Sequence, residues 1–476
     1  MKLIFEKGSA GRQGTTIPKL DVEHKKDLIP KEYLRKELNL PEVSEIDVVR
    51  HYTKLSTRNY GVDSGFYPLG SCTMKYNPKV NEETPKFAGF AFSHPLQPEE
   101  LSQGNLELMH ELEKMLCEIT GFARVSLQPA AGAHGELTGV MIIQAYFRKK
   151  KENRTKILVA DSSHGTNPAS VVLCGFEAVE VKSDANGNLS LEDLREKMKE
   201  DVAGLMLTNP NTLGLFDSNI KDICKIVHEK GGLVYCDGAN MNAMIGISRP
   251  AEQGYDVMHL NLHKTFATPH GSGGPGSGPV GVTEKLVPFL PKPLVEKKND
   301  SYYLDYSSKD SIGKMRSFYG NFGILVRAYT YIKGIGAKGI KEVAENAVLN
   351  ANYLKAKLKD TYDLPYGRTC MHEFVLSDKN LPNGVTTIDV AKRLLDYGIH
   401  APTIYFPLIV HGAIMIEPTE TESKETLDEF IEMMKNIAQE AKENPDLVKN
   451  APQNTLIRRL DATKAAREPN LRWKKQ

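Results

Sequence analysis

From about residue 105 onward the apolar positions follow two alternating rhythms. Leu108, Leu112, Met115, Leu116 and Ile119 fall on one face of a helix, and Gly121 stands where that helix would stop. Short unbroken apolar runs follow: KILVA (156–160), AGLMLTN (203–209), GLVYCDG (232–238), DVMHLNL (256–262) and PVGV (279–282). Helical patterns separate them near 134–149, 190–200 and 216–230. Unbroken apolar strands are buried on both faces. Their alternation with helices predicts an α/β fold, a mostly parallel sheet flanked by helices.

The texture changes near residue 330. A long helical pattern spans roughly 337–359, and a βαβα-like remainder follows: HEFVLS (372–377), a helix near 387–397, GAIMIE (412–417) and a final helix. Thr419 with Glu422 reads as a capping box for that last helix, and Leu427, Phe430, Ile431, Met434 and Ile437 form its apolar stripe. Before residue 100, prolines at 18, 30, 41, 68, 78, 85, 95 and 98 interrupt any regular element. The expected organisation is an extended arm (1–100), a large domain (101–330) and a smaller C-terminal α/β domain with a basic tail (331–476) holding the only tryptophan, Trp473. YGVDSGFYPLGSCTMKYNP (60–78) is too apolar for a disordered tail, so it is expected to lie against the main body or a partner.

Composition narrows the function classes. The 476 residues are 40% hydrophobic and 25% charged, with a net charge of +1, which gives no general case for nucleic acid or an anionic membrane. Six cysteines at 72, 117, 174, 224, 236 and 370 form no CxxC pair, so no metal site or disulfide framework is expected. No apolar run approaches the ~20 residues that span a bilayer, and the first residues lack the apolar core of a signal peptide. A cytoplasmic protein is the expectation.

Four stretches at the ends of the predicted strands carry chemistry. AGAHGE (131–136) opens a helix with small residues, so its backbone N–H groups could face an anion, or it could be a plain turn. ADSSHGTNPAS (160–170) offers His164, to stack on a ring or move a proton, or to cap a turn. Asp237 ends the strand GLVYCD, where a carboxylate needs a partner such as a pyridinium N–H, or caps a helix. Lys264, in NLHKTFATPHGSGGPGSGP (261–279), is an amine nucleophile followed by a glycine-rich run, or a surface lysine. There is no GxxxxGK[ST], no HExxH and no GxGxxG between strand and helix.

The order anion loop, histidine, aspartate, lysine resembles the fold-type I pyridoxal-phosphate (PLP) enzymes, the aspartate-aminotransferase superfamily. HGTNPAS, DGANMNA, LNLHKTF, PHGSGGPG and YPLGSCTMKYNP, in that family's order from about residue 45 onward, resemble glycine decarboxylase, the P-protein of the glycine cleavage system. His134 stands where that family commonly has Gln. The length matches one half of the single-chain enzyme, so the chain resembles subunit 2 of the split form, which pairs with a homologous subunit 1 as α2β2.

That resemblance implies an enzyme, glycine dehydrogenase (aminomethyl-transferring), an oxidoreductase with a disulfide acceptor. Glycine would be decarboxylated and its aminomethyl group passed to the lipoyl arm of the H-protein. It also implies site roles. Lys264 would hold pyridoxal 5'-phosphate covalently, Asp237 would pair with the ring nitrogen and His164 would stack on the ring. Gly132 and Ala133 would bind phosphate through backbone N–H groups. Asn209, in TNPNT, would face the phenolic oxygen; Asn261 is a phosphate-side candidate, and Asn240 and Thr265 complete the set. Ser71 and Cys72 would line the entrance of the lipoyl arm or pack against subunit 1. Two other readings remain open on residues alone: an aminotransferase or another decarboxylase of the same fold, and a non-catalytic half that completes its partner's site.

Overall fold

Seven strands build the central sheet of the computed structural model, which describes residues 2–23, 25, 28–270 and 276–472. The glycine-rich stretch 271–275 and Trp473 lie outside the described residues. The strands are β1 (Arg124–Ser126), β2 (Lys156–Ala160), β3 (Glu177–Val181), β4 (Val202–Thr208), β5 (Leu233–Gly238), β6 (Val257–Leu260) and β7 (Val280–Val282), in the order β1-β7-β6-β5-β4-β2-β3. β2 to β6 are parallel, and β7 is antiparallel to both its neighbours.

Period-2 alternation explains why the strands read as unbroken apolar runs. Leu233 and Tyr235 of β5 pack into one core with Val140, Ile143 and Phe147 of the helix Gly132–Lys150. Val234 and Cys236 point the other way, into a core with Leu112 and Leu116 of the helix Gln103–Thr120. Burying both faces rewards an apolar residue at every position, by roughly 1.5–3 kcal/mol for each large side chain. β1, β3, the helix Thr166–Leu173 and a hairpin of β8 (Leu294–Lys298) with β9 (Ser301–Asp305) were not legible as elements. β1 has three residues, and β3 (EAVEV) carries two glutamates, Glu177 and Glu180, at an edge of the sheet.

The chain separates into two compact units, Met1–Gly65 and Phe66–Gln476. The first unit holds the helix Glu45–Ser56, where Ser44 accepts a hydrogen bond from the Asp47 N–H. In the second unit, residues 66–86 pack on the body: Leu69 bridges Ile416, Thr84 bonds Thr330, and Glu82 pairs with Arg327 at 2.8 Å.

The long helix runs Phe322–Leu358, starting well before the sequence pattern, with a non-helical Gly336 (φ +62°) inside it. Its first half packs in the core of the large sheet through Leu325 and Tyr331. Its second half, through Ala351, Leu354 and Leu358, packs against β10 (Phe374–Ser377), β12 (Ala413–Ile416) and the helix Lys424–Glu443. β10, β12 and the two-residue β11 (Thr403–Ile404) form an antiparallel sheet in the order β10-β12-β11, not the parallel pair that a βαβα reading implies. The helix Lys424–Glu443, read as the final one, is capped by Ser423, which accepts from the Thr426 N–H, and not by Thr419; two short helices, Pro445–Lys449 and Ala462–Arg467, follow it. Thr419 is fully buried, and its hydroxyl bonds Thr421 at 3.0 Å.

Gly214 joins the two sheets. Its φ is +73°, its carbonyl accepts from the Met371 N–H at 2.7 Å, and a Cβ there would lie 1.8 Å from the Glu373 carbonyl oxygen. Gly214→Ala adds left-handed strain to a clash with rigid backbone. It is expected to lower unfolding free energy by about 3 kcal/mol in urea titration.

Candidate active site

The register across three strands sets the floor of a cavity of about 270 Å³. Thr208 of β4 lies opposite Asp237 of β5, and Asp237 opposite His259 of β6. Ligands of open α/β sheets bind beyond such carboxyl ends. Of the residues singled out in the sequence, Gly132, Ala133, His164, Asp237, Asn240, Asn261 and Lys264 line this cavity, and Asn209 and Thr265 do not. Asn209 is buried, and its Oδ1 accepts from the Asp217 N–H at 2.9 Å. The Thr265 hydroxyl accepts from the Met241 N–H at 2.8 Å. Both side chains fasten turns beside the cavity.

Asp237 accepts from Asn167 Nδ2 at 2.9 Å and from the Ala239 N–H at 3.1 Å. His259 Nε2 lies 3.5 Å from its other side. Burial pushes this carboxyl up, but His259, Asn167, the Ala239 N–H and Lys264 together hold it below its ordinary value. His259 is oriented from behind. The Tyr235 phenol, kept protonated by burial, donates to its Nδ1 at 2.7 Å and leaves Nε2 facing Asp237.

Glu136 has the opposite charge state. Burial and the charge of Asp237 push its carboxyl up to about 8, against a hydrogen bond from Thr166 and the nearby Lys264. Two carboxyls that close resist double ionisation, so Asp237 keeps the charge and Glu136 the proton at neutral pH. Thr166 Oγ1 donates to Glu136 at 2.8 Å and bonds His164 Nδ1 at 2.8 Å, which ties His164 to the same network. The His164 ring meets Phe406 edge-on at 5.8 Å.

The helix Gly132–Lys150 starts without a side-chain cap, since Ala131 precedes it. A Cβ at Gly132 would come within 2.8 Å of the Asn261 amide, so glycine permits the close approach. Among the described residues, Asn261 Oδ1 and Thr208 Oγ1 are buried without a hydrogen-bond partner. A helix N-terminus without a side-chain cap and unpartnered polar side-chain atoms beside it together suit an anionic polar ligand.

Lys264 follows Asn261 in a turn closed by its N–H bond to the Asn261 carbonyl at 3.1 Å. No hydrogen bond to its Nζ occurs among the described residues. A second lysine fixes the adjoining backbone. Lys75 is buried, and its Nζ donates to the Thr265 carbonyl (2.7 Å), Tyr331 (3.1 Å) and Glu420 (2.6 Å).

The opposite wall comes from the C-terminal strands. His372 and Glu373 lie just before β10 and line the cavity with Ser71. Glu417, just after β12, accepts from Thr73 and Asn240. The sequence reading missed Glu136, Lys75, His259, His372, Glu373 and Glu417. The available signal was position: Glu373 and Glu417 directly flank short apolar strands, as Asp237 ends one, and Glu136 sits in the quoted anion loop.

Comparison with known proteins extends this picture. The structure of glycine decarboxylase (P-protein) of the glycine cleavage system in inhibitor-bound form superposes with a TM-score of 0.72 at 21% identity, covering 86% of this chain and 93% of that one. An aspartate aminotransferase of Thermus thermophilus gives 0.57 at 13% identity over 79% of this chain and 99% of that one. The fold is therefore that of the fold-type I pyridoxal-phosphate enzymes. The profile described as glycine cleavage system P-protein matches residues 15–303, and that described as glycine dehydrogenase, C-terminal domain, matches 343–459. The "Probable glycine dehydrogenase (decarboxylating) subunit 2" of Caldanaerobacter subterraneus subsp. tengcongensis is 62% identical over 99% of both chains. That of Alkaliphilus oremlandii is 60% identical over 100% of this chain and 99% of its own. The chain belongs to the glycine cleavage system P-protein family. No helix among the described residues is long and apolar enough to cross a membrane.

Removing Lys75 strands Glu420 against buried carbonyls. Lys75→Ala is expected to lower unfolding free energy by about 3–5 kcal/mol, and Lys75→Met with Glu420→Leu by clearly less. Urea titration of the three proteins checks both.

Proposed function

We propose that this chain is the cofactor-bearing subunit of a glycine decarboxylase. It would remove CO2 from glycine and pass the aminomethyl group to the lipoyl disulfide of an H-protein, in an α2β2 assembly with a homologous subunit 1 in the cytoplasm. One observation carries the reading. Lys264, an amine with no hydrogen bond among the described residues, shares a cavity with a carboxylate, Asp237, that its neighbours hold ionised.

The residues fit pyridoxal 5'-phosphate. Lys264 would hold it covalently through Nζ. The Gly132 and Ala133 N–H groups, with Asn261 beside them, would bind its phosphate, and the unpartnered Thr208 and Asn261 oxygens support a polar occupant. Asp237 would hold a proton at the ring nitrogen, and His164 would cover the ring face. Asn240 bonds Glu417 at 2.7 Å and would act from the cavity wall. Asn209 and Thr265, committed to the turns described above, would shape the pocket without touching the ligand. The bound cofactor supplies the electron sink for the charge left by departing CO2. Asp237 stabilises that charge electrostatically, and Glu136, bearing its proton, adds no second negative charge beside it.

Lys264→Ala is expected to assemble with subunit 1 but to lose glycine-dependent exchange of labelled bicarbonate and any label fixed by borohydride. Retained exchange would remove Lys264 from the mechanism. Asp237→Asn is expected to keep the cofactor, read by its absorbance, and to lose about 10²–10³-fold in exchange rate. A near-normal rate would refute its role.

A further inference from the structure

Glu373 directly precedes β10 and Glu417 directly follows β12. Phe374 pairs with Ile416 in that antiparallel ladder, so the register brings the two glutamates to the same end of the sheet. They are 3% and 0% exposed. A carboxylate oxygen of each and a ring nitrogen of His372 lie within 4.8 Å of one another. The two carboxyls are solvated unequally. Glu417 accepts from the Thr73 N–H (2.9 Å), the Thr73 hydroxyl (2.7 Å) and Asn240 Nδ2 (2.7 Å). Glu373 accepts one bond, from the Ser71 N–H at 2.7 Å. Its other oxygen lies 3.7 Å from His372 Nε2, beyond hydrogen-bond reach. His372 is 2% exposed, and neither ring nitrogen has a hydrogen-bond partner among the described residues, which leaves a buried polar group on the cavity wall able to bind a ligand.

Two buried carboxyls this close hold one proton between them, and it falls on the one with fewer donors. Burial and then the charge of Glu417 push Glu373 well above the carboxylate range, against the Ser71 N–H and Lys264. The other facing groups do not compete for the role. Burial and Lys264 take His372 down to about 3, so its ring is neutral. Burial lifts the Cys72 thiol to about 11. Burial lifts Glu417 as well, but Thr73, Asn240 and Lys264 pull it back, and it accepts from three donors where Glu373 accepts from one. Glu373 lines the cavity with Lys264; Glu417 does not.

We propose that Glu373 is the acid that protonates the departing sulfur of the disulfide acceptor, with Glu417 holding that proton in place. The proposal rests on the function proposed above. The balance closes without an outside oxidant or reductant. Glycine's bond to its carboxyl carbon breaks, CO2 leaves, and the electron pair stays on the α-carbon. That pair forms a C–S bond to one sulfur while the S–S bond breaks. The second sulfur departs with the S–S pair and takes the Glu373 proton, so the disulfide is reduced as the glycine carbon is oxidised. The ionised acid pair is recharged by the proton that the next glycine ammonium must lose. Per turnover, that ammonium proton becomes the thiol hydrogen.

The test uses the holoenzyme assembled with subunit 1, with lipoylated H-protein as acceptor. Glycine binding is read by the visible absorbance change and transfer by titration of the new thiol. Glu373→Gln is expected to bind glycine within about threefold of wild type and to form thiol about 10²–10³-fold more slowly. Wild-type transfer falls as pH rises through the raised pKa of Glu373, because the acid form disappears; Glu373→Gln lacks that limb. Glu417→Gln removes the charge that raises Glu373, so the limb moves to lower pH. Glu373→Asp recovers part of the rate and keeps the limb. These two variants decide the matter if Glu373→Gln fails to assemble. Thiol formation within threefold of wild type in Glu373→Gln, or an unmoved limb in Glu417→Gln, overturns the acid alone. A wild-type enzyme with no absorbance response to glycine overturns the proposed function, and the acid with it.

Discussion

A carboxylate that keeps its charge at the end of a buried strand needs donors from elsewhere, and the surroundings of Asp237 are organised by that need. Its partners come from separate parts of the chain: Asn167 of the helix after β2 and the Ala239 N–H of its own turn donate to it, and His259 of the neighbouring strand lies 3.5 Å away. Each is brought within reach by strand order. β2 reaches β5 across β4 in the sheet, and the register alone sets Asp237 beside His259. Glu136 follows from the same constraint. With one charge fixed at Asp237, the second carboxyl in the pocket keeps its proton.

The opposing wall works by the same rule with a different resolution. Glu417 collects the donors and Glu373 is left with one, so a pair of chemically identical side chains divides into an anion and an acid. Floor and wall belong to different cores, and one helix, interrupted at Gly336, runs through both. Lys75 adds a second tie by bonding the backbone after Lys264, Tyr331 of that helix and Glu420 of the C-terminal part together.

Much of the large sheet was legible because burial on both faces leaves an unbroken apolar signature, as in GLVYC and KILVA. What stayed hidden were elements whose signature is weak: three-residue β1, charged edge strand β3, and the helix Thr166–Leu173, which has no side-chain cap. The end helix was found but its cap was misplaced, since Ser423 and Thr419 offer the same hydroxyl and only tertiary burial separates them. At the candidate site, residues sitting in glycine-rich or strand-end motifs were visible. Lys75, Glu373 and Glu417 were missed: their partners lie 177 to 345 residues away in the chain, and for the glutamates only a place beside a short apolar strand hinted at burial.

The short run Ser71–Lys75 serves three acids with every second residue: Ser71 meets Glu373, Thr73 meets Glu417, and Lys75 meets Glu420. Ser71 and Thr73 do so in the left-handed region, at φ +65° and +54°. The C-terminal part is therefore electrostatically unfinished on its own. Until this five-residue splint arrives, its glutamates must stay hydrated or take up protons. Docking of residues 71–75 and dehydration of the C-terminal wall are thus one event, and the acid wall is complete only when that segment is in place.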